Sequence, residues 1–185
     1  MVDKSTKAAR GTVQCENTNI NLLKANDFVA DIIKKEMAKT STLLINVTSS
    51  AGSGKTTLMQ KTAQKLKDKI TMAVMVGDLE TGIQALQIVT GGICHLEAQM
   101  IHQVLDQFDL ENIDLLFIEN VGNLVCPSSF DLGEDYRVTL MATTEGDDKP
   151  KKYPKMFLTS DMMLVSKADL LPYVPFSVEA VTKDA

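Results

Sequence analysis

Residues 49 to 57, Ser-Ser-Ala-Gly-Ser-Gly-Lys-Thr-Thr, stand between an apolar run, Leu43-Leu44-Ile45-Asn46-Val47, and a stretch with helical spacing. A strand feeding a glycine-bearing loop that opens a helix is the arrangement of a phosphate-binding P-loop, and it constrains the fold more than any other feature. Backbone N–H groups of such a loop and of the first helical turn can cradle phosphate oxygens, because a helix N-terminus leaves them without intrahelical acceptors and carries partial positive charge. Gly52 and Gly54 supply permissive backbone, Lys55 can reach the outer phosphates, and the Thr56 hydroxyl can ligate magnesium. Ser49 stands where the full pattern has its first glycine, which weakens the match but not the mechanism.

The 185 residues, 44% of them hydrophobic, suffice for one substantial core. A net charge of −5 argues against a general nucleic-acid binder, and the basic pairs Lys34-Lys35 and Lys151-Lys152 read as solvated faces. No apolar run approaches the roughly 18 residues that span a bilayer, and the first residues lack the apolar core of a signal peptide, so a cytoplasmic protein without membrane contact is expected. Three cysteines, Cys15, Cys94 and Cys126, are too few and too widely spaced for a disulfide framework, which directs attention to metal or redox chemistry.

Residues 1–18 are polar and aperiodic and are expected to form a flexible segment ahead of a single domain over 19–185. Leu22, Leu23, Val29, Ile32, Ile33 and Met37 then recur at largely helical spacing, predicting an amphipathic helix over 21–39. Strands follow at 43–47, 72–76, 115–118, 138–142 and 162–165, with helices over 55–67 and 96–108. This alternation predicts an α/β P-loop NTPase fold, a mostly parallel sheet flanked by helices, with ligands at the carboxyl ends of the strands. The apolar run from Ile83 to Val89 conflicts with it. Leu79-Glu80-Thr81-Gly82 could close only an antiparallel turn, whereas parallel neighbours need a crossover of a dozen or more residues.

Polar groups cluster at the expected strand ends. Asp78 and Glu119 each follow an apolar strand and can hold magnesium directly or through water, while Gly122 can offer its N–H to a terminal phosphate. Ser166-Lys167-Ala168-Asp169 has the form of a guanine-recognition tetrad with Ser in the usual Asn place. A carboxylate such as Asp169 can accept from the ring N–H and exocyclic amine of guanine but would meet an acceptor nitrogen in adenine, which favours GTP over ATP. The neighbours Cys94 and His95 supply two donors suited to zinc or nickel, too few to complete a coordination sphere unless a two-fold axis doubles them.

The run from Ile118 to Phe130, with Gly92-Ile93-Cys94-His95-Leu96-Glu97-Ala98 and Glu145-Gly146-Asp147-Asp148-Lys149-Pro150, resembles the nickel-incorporation GTPases of [NiFe]-hydrogenase maturation, the HypB family, over about residues 20–185. The resemblance implies a SIMIBI-class GTPase that dimerises on binding GTP and carries an interfacial metal. It implies phosphate and magnesium binding by Gly52, Ser53, Gly54, Lys55 and Thr56 with support from Thr57, acidic switch positions at Asp78 and Glu119, and base binding by Lys167 and Asp169. Cys94 and His95 match the family's interfacial metal pair, with Cys126 a third candidate ligand for nickel or zinc. His102 has no such partner, and Cys15 does not form the Cys-rich motif seen near the N-termini of some relatives.

Two departures stand against that pattern. The family's switch helix after Gly-Asp-x-x-Thr is absent, since Gly82 follows Thr81 directly, and the chain stops at Ala185, ahead of the family's last strand, last helix and guanine-closing loop. Both predict that the sequence joins parts of a longer chain, with the switch helix and the C-terminal end missing. The implied function is a metallochaperone working with the hydrogenase large-subunit maturation machinery and another nickel-binding accessory protein. Slow intrinsic GTP hydrolysis is expected, with Lys55, Asp78 and Glu119 as its catalytic residues and Asp78 positioning water; Arg137, the only arginine after the P-loop, is expected to be structural. The rivals are a urease accessory nickel GTPase, which predicts a Cys-Pro-His motif not found here, and a nucleotide-gated nickel store with little hydrolysis.

Overall fold

The computed structural model describes residues 4–76, 85–88, 90 and 92–185. Six strands, β1 (Leu43–Ser49), β2 (Met72–Val76), β3 (Ala85–Gln87), β4 (Leu115–Gly122), β5 (Tyr136–Ala142) and β6 (Met162–Ser166), form one sheet in the order β3-β2-β4-β1-β5-β6. Every neighbouring pair is parallel, so all six carboxyl ends lie along one edge. Helices α1 (Lys4–Met37), α2 (Lys55–Leu66), α3 (Ala98–Leu105), α4 (Lys149–Lys152), α5 (Pro154–Leu158) and α6 (Val178–Asp184) complete the layers.

Alternation along the strands sorts the core into two faces. Leu44, Ala73, Met75, Leu116 and Ile118 face α1 and α3, packing on Ala30, Ile33, Met37, Ile101 and Leu105. Val47, Val74, Val76, Leu115 and Phe117 face the other way, around Met59 of α2. Met141, Met156, Phe157 and Val181 make a smaller cluster beneath β5, α5 and α6. No helix among the described residues is long and apolar enough to cross a membrane.

The helix expected over 21–39 is α1, and its buried stripe, Asn26, Ala30, Ile33 and Met37, has the four-three-four spacing of one helical face. Its backbone starts at Lys4, inside the segment 1–18 expected to be flexible. Extending a helix from a packed nucleus adds a hydrogen bond per residue fixed, so it proceeds without an apolar stripe of its own. Gly133 lies against this helix: a β-carbon there would stand 2.7 Å from Ile33 Cβ and 2.9 Å from the Ala30 carbonyl, at a φ of 80°. Asn26 joins the layers, its Nδ2 donating to the Asp131 carbonyl (2.7 Å) and its Oδ1 accepting from the first N–H of α3, that of Ala98 (2.8 Å).

The conflict at 83–89 takes a definite form. Ala85–Gln87 pairs in parallel with Val74–Val76, not in the antiparallel sense that a tight turn would impose. Residues 77–84, including Asp78, Thr81 and Gly82, lie outside the described residues.

Arg137 is structural, as expected. It is buried, its Nε donates to Glu134 Oε1 (2.8 Å), its Nη1 to Thr159 Oγ1 (3.2 Å) and its Nη2 to the Phe130 carbonyl (2.8 Å). Glu134 also accepts from Asn46 Nδ2 (3.0 Å) and the Leu132 N–H (2.7 Å), so the buried ion pair is satisfied on both sides.

Candidate functional site

β1 is the inner strand between β4 and β5, and the chain leaves its carboxyl end into the phosphate loop. Gly52 and Gly54 adopt φ of 73° and 99° with open space on their β-carbon side, so glycine is required there by backbone conformation, not by crowding. Gly54 is the N-cap of α2 and brings no side chain to its N–H groups, which leaves that helix end to a ligand. Ser53 and Lys55 are buried, and Lys55 Nζ donates to Ser49 Oγ (2.8 Å). The residue that departs from the P-loop pattern thus has a use: its hydroxyl holds the lysine.

Glu119 lies within β4, three residues before its end, and is buried between Val47 of β1 and Val76 of β2. Its Oε1 accepts from Thr56 Oγ1 (2.6 Å), bringing together two of the three expected magnesium ligands; the third, Asp78, lies outside the described residues. Gly122 pairs with Ser49, and a β-carbon on it would stand 2.7 Å from Ala51 Cα, so glycine here is what lets β4 approach the phosphate loop. Thr57 joins Ser53, Gly54, Lys61, Lys167 and Asp169 in lining a cleft of about 490 Å³ that runs from the phosphate loop to the tetrad.

Lys167 has a φ of 55°, the only left-handed non-glycine among the described residues. That conformation costs an L-residue about 1–2 kcal/mol, and is held by Thr143 Oγ1 donating to the Lys167 carbonyl (2.8 Å). Asp169 follows in the first turn of a 3₁₀ helix, Ala168–Tyr173, with its side chain exposed beside the cleft.

Cys94 and His95 precede α3, and Cys126 opens a 3₁₀ turn, Cys126–Ser129, just past β4. Cys94 Sγ lies 2.8 Å from Cys126 Sγ and 3.8 Å from His95 Nδ1, and all three donor atoms fall within 4.8 Å of one another. One chain therefore gathers three donors, where the Cys-His pair alone offers two. Two thiols and an imidazole suit nickel or zinc and would fill three positions of a four-coordinate site. The hydrogen bond with the Cys126 thiol and then desolvation hold the Cys94 thiol above its ordinary value, a shift that coordination would reverse by displacing the proton.

Neighbours orient the imidazole. His95 stacks on Phe130 with centroids 4.0 Å apart and its Nδ1 toward the sulfurs, while its buried Nε2, 3.4 Å from Glu97 Oε1, is near that carboxylate without a formed hydrogen bond among the described residues. Asn123 ties the two loops, its Nδ2 donating to the Cys94 carbonyl (3.4 Å) and its Oδ1 accepting from the Val125 N–H (2.7 Å). His102 stands apart, 3.5 Å from Glu36 of α1, and the side chain of Cys15 lies outside the described residues. Sequence reasoning assigned no role to Glu97, Phe130 or Asn123, although all three fall inside the motif runs and Glu97 follows His95 at the spacing of a supporting carboxylate.

Residues 43–185 match the family described as CobW/HypB/UreG, nucleotide-binding domain. The hydrogenase maturation factor HypB of Escherichia coli (strain K12) is 46% identical over 170 residues, covering 86% of this chain and 59% of the relative, so the chain spans little more than half of that protein's length. The crystal structure of hydrogenase maturation factor HypB from Archaeoglobus fulgidus is similar at a TM-score of 0.82 and 37% identity, over 87% of this chain and 83% of that one. That of HypB from Helicobacter pylori in complex with nickel is similar at 0.79 and 42% identity, over 86% and 80%.

Proposed function

This chain belongs to the CobW/HypB/UreG nucleotide-binding family, and we propose that it is a GTP-hydrolysing nickel metallochaperone of [NiFe]-hydrogenase maturation. One observation carries the reading. The carboxyl end of β4 serves both sites: Glu119, which accepts from Thr56, and Gly122, which meets the phosphate loop, are followed within the same run by Cys126, which meets Cys94. A nucleotide that shifts this strand end moves one metal donor against the other two.

Each residue then has a task. Phosphates lie on the N–H groups of residues 50–56 and of Gly122, drawing Lys55 from Ser49 to the charge that develops on the transferred group. Thr56 and Glu119, with Asp78, hold magnesium, and Asp78 positions the attacking water. Asp169 and Lys167 select guanine across the cleft. Turnover is slow, because Arg137 is committed to Glu134, Thr159 and the Phe130 carbonyl and supplies no arginine finger.

Nickel, the cargo, is taken by Cys94, His95 and Cys126, and zinc suits the same donors. A homodimer is favoured by the open fourth position and by Ile93 and Val125, apolar residues 41% and 58% exposed, which flank the donors. Phosphate release from GTP, measured with and without nickel for the chain and for Lys55→Ala, tests the enzyme. Release no faster than Lys55→Ala leaves the nickel store as the reading. Equilibrium dialysis with nickel under GTP and GDP tests the coupling, and equal nickel affinity in both states overturns it.

A further inference from the structure

We propose that the turn Thr143-Thr144-Glu145 at the end of β5 is a bracket that fixes the separation between the phosphate loop and the base-recognition loop, with Glu145 as its positioning residue. The proposal rests on the guanine-nucleotide reading above. Glu145 Oε1 accepts from Ser53 Oγ of the phosphate loop (2.5 Å) and from the Ala142 N–H (3.3 Å). Two residues earlier, Thr143 Oγ1 donates to the Lys167 carbonyl (2.8 Å), and Lys167 Nζ donates to Thr144 Oγ1 (3.4 Å). Ser166 Oγ closes the circuit by donating to the Ser53 carbonyl (2.7 Å). The path Ser53, Glu145, Thr143, Lys167, Ser166 and back to Ser53 links three loops of the site.

Its anchoring members, Ser53 and Thr143, are buried, which partly shields their bonds from competing water, while the Lys167 Nζ to Thr144 contact is exposed. The circuit also holds Lys167 at its left-handed φ of 55°, which sets the direction in which the chain presents Asp169. Glu145 Oε2 is buried and accepts no hydrogen bond among the described residues. Such an orphaned buried oxygen is uncommon, and here it accompanies a first oxygen that ties the phosphate loop to the end of β5.

The consequence is specific to ligands that reach both loops. Pyrophosphate touches the phosphate loop only, ADP spans the cleft without a matching contact at Asp169, and GDP uses both ends. Slack in the bracket penalises GDP more than the other two. Titration calorimetry on the full chain with magnesium tests this for Glu145→Ala, Glu145→Gln and Thr143→Val. Glu145→Ala is expected to weaken GDP about tenfold, the worth of one shielded hydrogen bond, while pyrophosphate changes by less than about threefold and the preference for GDP over ADP falls with GDP. Glu145→Gln keeps an acceptor for Ser53 and restores most of the loss. Thr143→Val cuts the other arm without touching the phosphate loop and reproduces the selective loss, which keeps the test available should Glu145→Ala fold poorly. Equal losses of GDP and pyrophosphate, or unchanged GDP affinity in Glu145→Ala and Thr143→Val, overturn the bracket. A wild-type chain that binds GDP and ADP alike overturns the guanine reading and the bracket's selectivity together.

Discussion

Gly122→Ala is the sharpest test of how the sheet supports the phosphate loop. Position 122 pairs with Ser49, and an added β-carbon would stand 2.7 Å from Ala51 Cα, 2.9 Å from Ala51 N and 3.0 Å from Ala51 Cβ. Carbon atoms in contact sit about 3.5–4.0 Å apart, so loop or strand must yield by about 0.8 Å. Two of the three obstructing atoms are backbone, which no rotamer can move aside. Overpacking of this kind costs about 1–3 kcal/mol, and it can surface in two ways. If the loop keeps its place, the strain stays in the folded protein and Tm falls by about 2–4 °C per kcal/mol for a chain of this size. If the loop moves, its N–H groups lose their aim and GDP affinity falls by about 5- to 150-fold. The two losses share one total, so scanning calorimetry and GDP titration are read together. Gly54→Ala is the contrast: a β-carbon there meets nothing within 4 Å, and its cost is the left-handed backbone alone, at a φ of 99°. A Gly122→Ala protein with Tm within about 1 °C and GDP affinity within about twofold of the parent would refute the argument.

At the proposed metal site, Cys94→Ser, Cys126→Ser and His95→Ala are each expected to lower nickel affinity, and Glu97→Gln, by removing the carboxylate charge 3.4 Å from His95 Nε2, to lower it about tenfold, while His102→Ala beside Glu36 leaves it unchanged; equilibrium dialysis ranks the five. Arg137→Met strands the buried Glu134 carboxylate and should cost about 3–5 kcal/mol, seen as a large fall in Tm, with turnover per folded molecule retained; turnover lost in a folded variant would return Arg137 to the chemistry. Asp131 is pushed up by burial, but the Lys34 ammonium and the Gly133 N–H outweigh this and hold its carboxyl below the usual range. Its contribution is therefore present above the unfolded value, about 3.9, and is lost as pH falls through the lower folded value; the pair is part-exposed, so the effect is small. Urea unfolding should show a shallower acid slope for Asp131→Asn, and identical slopes would rule the contribution out.

Much of this was legible in the sequence because the signals were local. The 72–76 strand is recovered as written, and the phosphate loop is recovered because strand, glycines, lysine and helix are contiguous. Boundaries drifted where local pattern gives out. β4 runs on through Glu119 to Gly122, since a carboxylate flanked by two strands still makes ladder bonds, and α3 ends at Leu105 although its apolar pattern reaches Phe108. Long-range polar contacts were not legible. Asn46, Glu134 and Arg137 read as unrelated residues until the fold placed them in one buried network, and Glu145 lies far from Ser53 along the chain. Such pairings depend on sheet order, which periodicity does not carry.

The parallel sheet also accounts for how the two proposed sites come to share one strand end. With all carboxyl ends along one edge, the loops that follow neighbouring strands emerge side by side there. Among the described strands, β4 lies beside β1 and is followed four residues later by Cys126, so it approaches both the phosphate loop and Cys94 within a few residues. Asn123, between Gly122 and Cys126, donates to the Cys94 carbonyl and accepts from the N–H groups of Val125 and Cys126, so under the proposed coupling a displacement at Gly122 would be passed to the backbone of both cysteines. Coupling by this route needs no long pathway. It requires that the strand end have two positions with different donor spacing, and the close approach of Gly122 to Ala51 makes its position dependent on that of the phosphate loop.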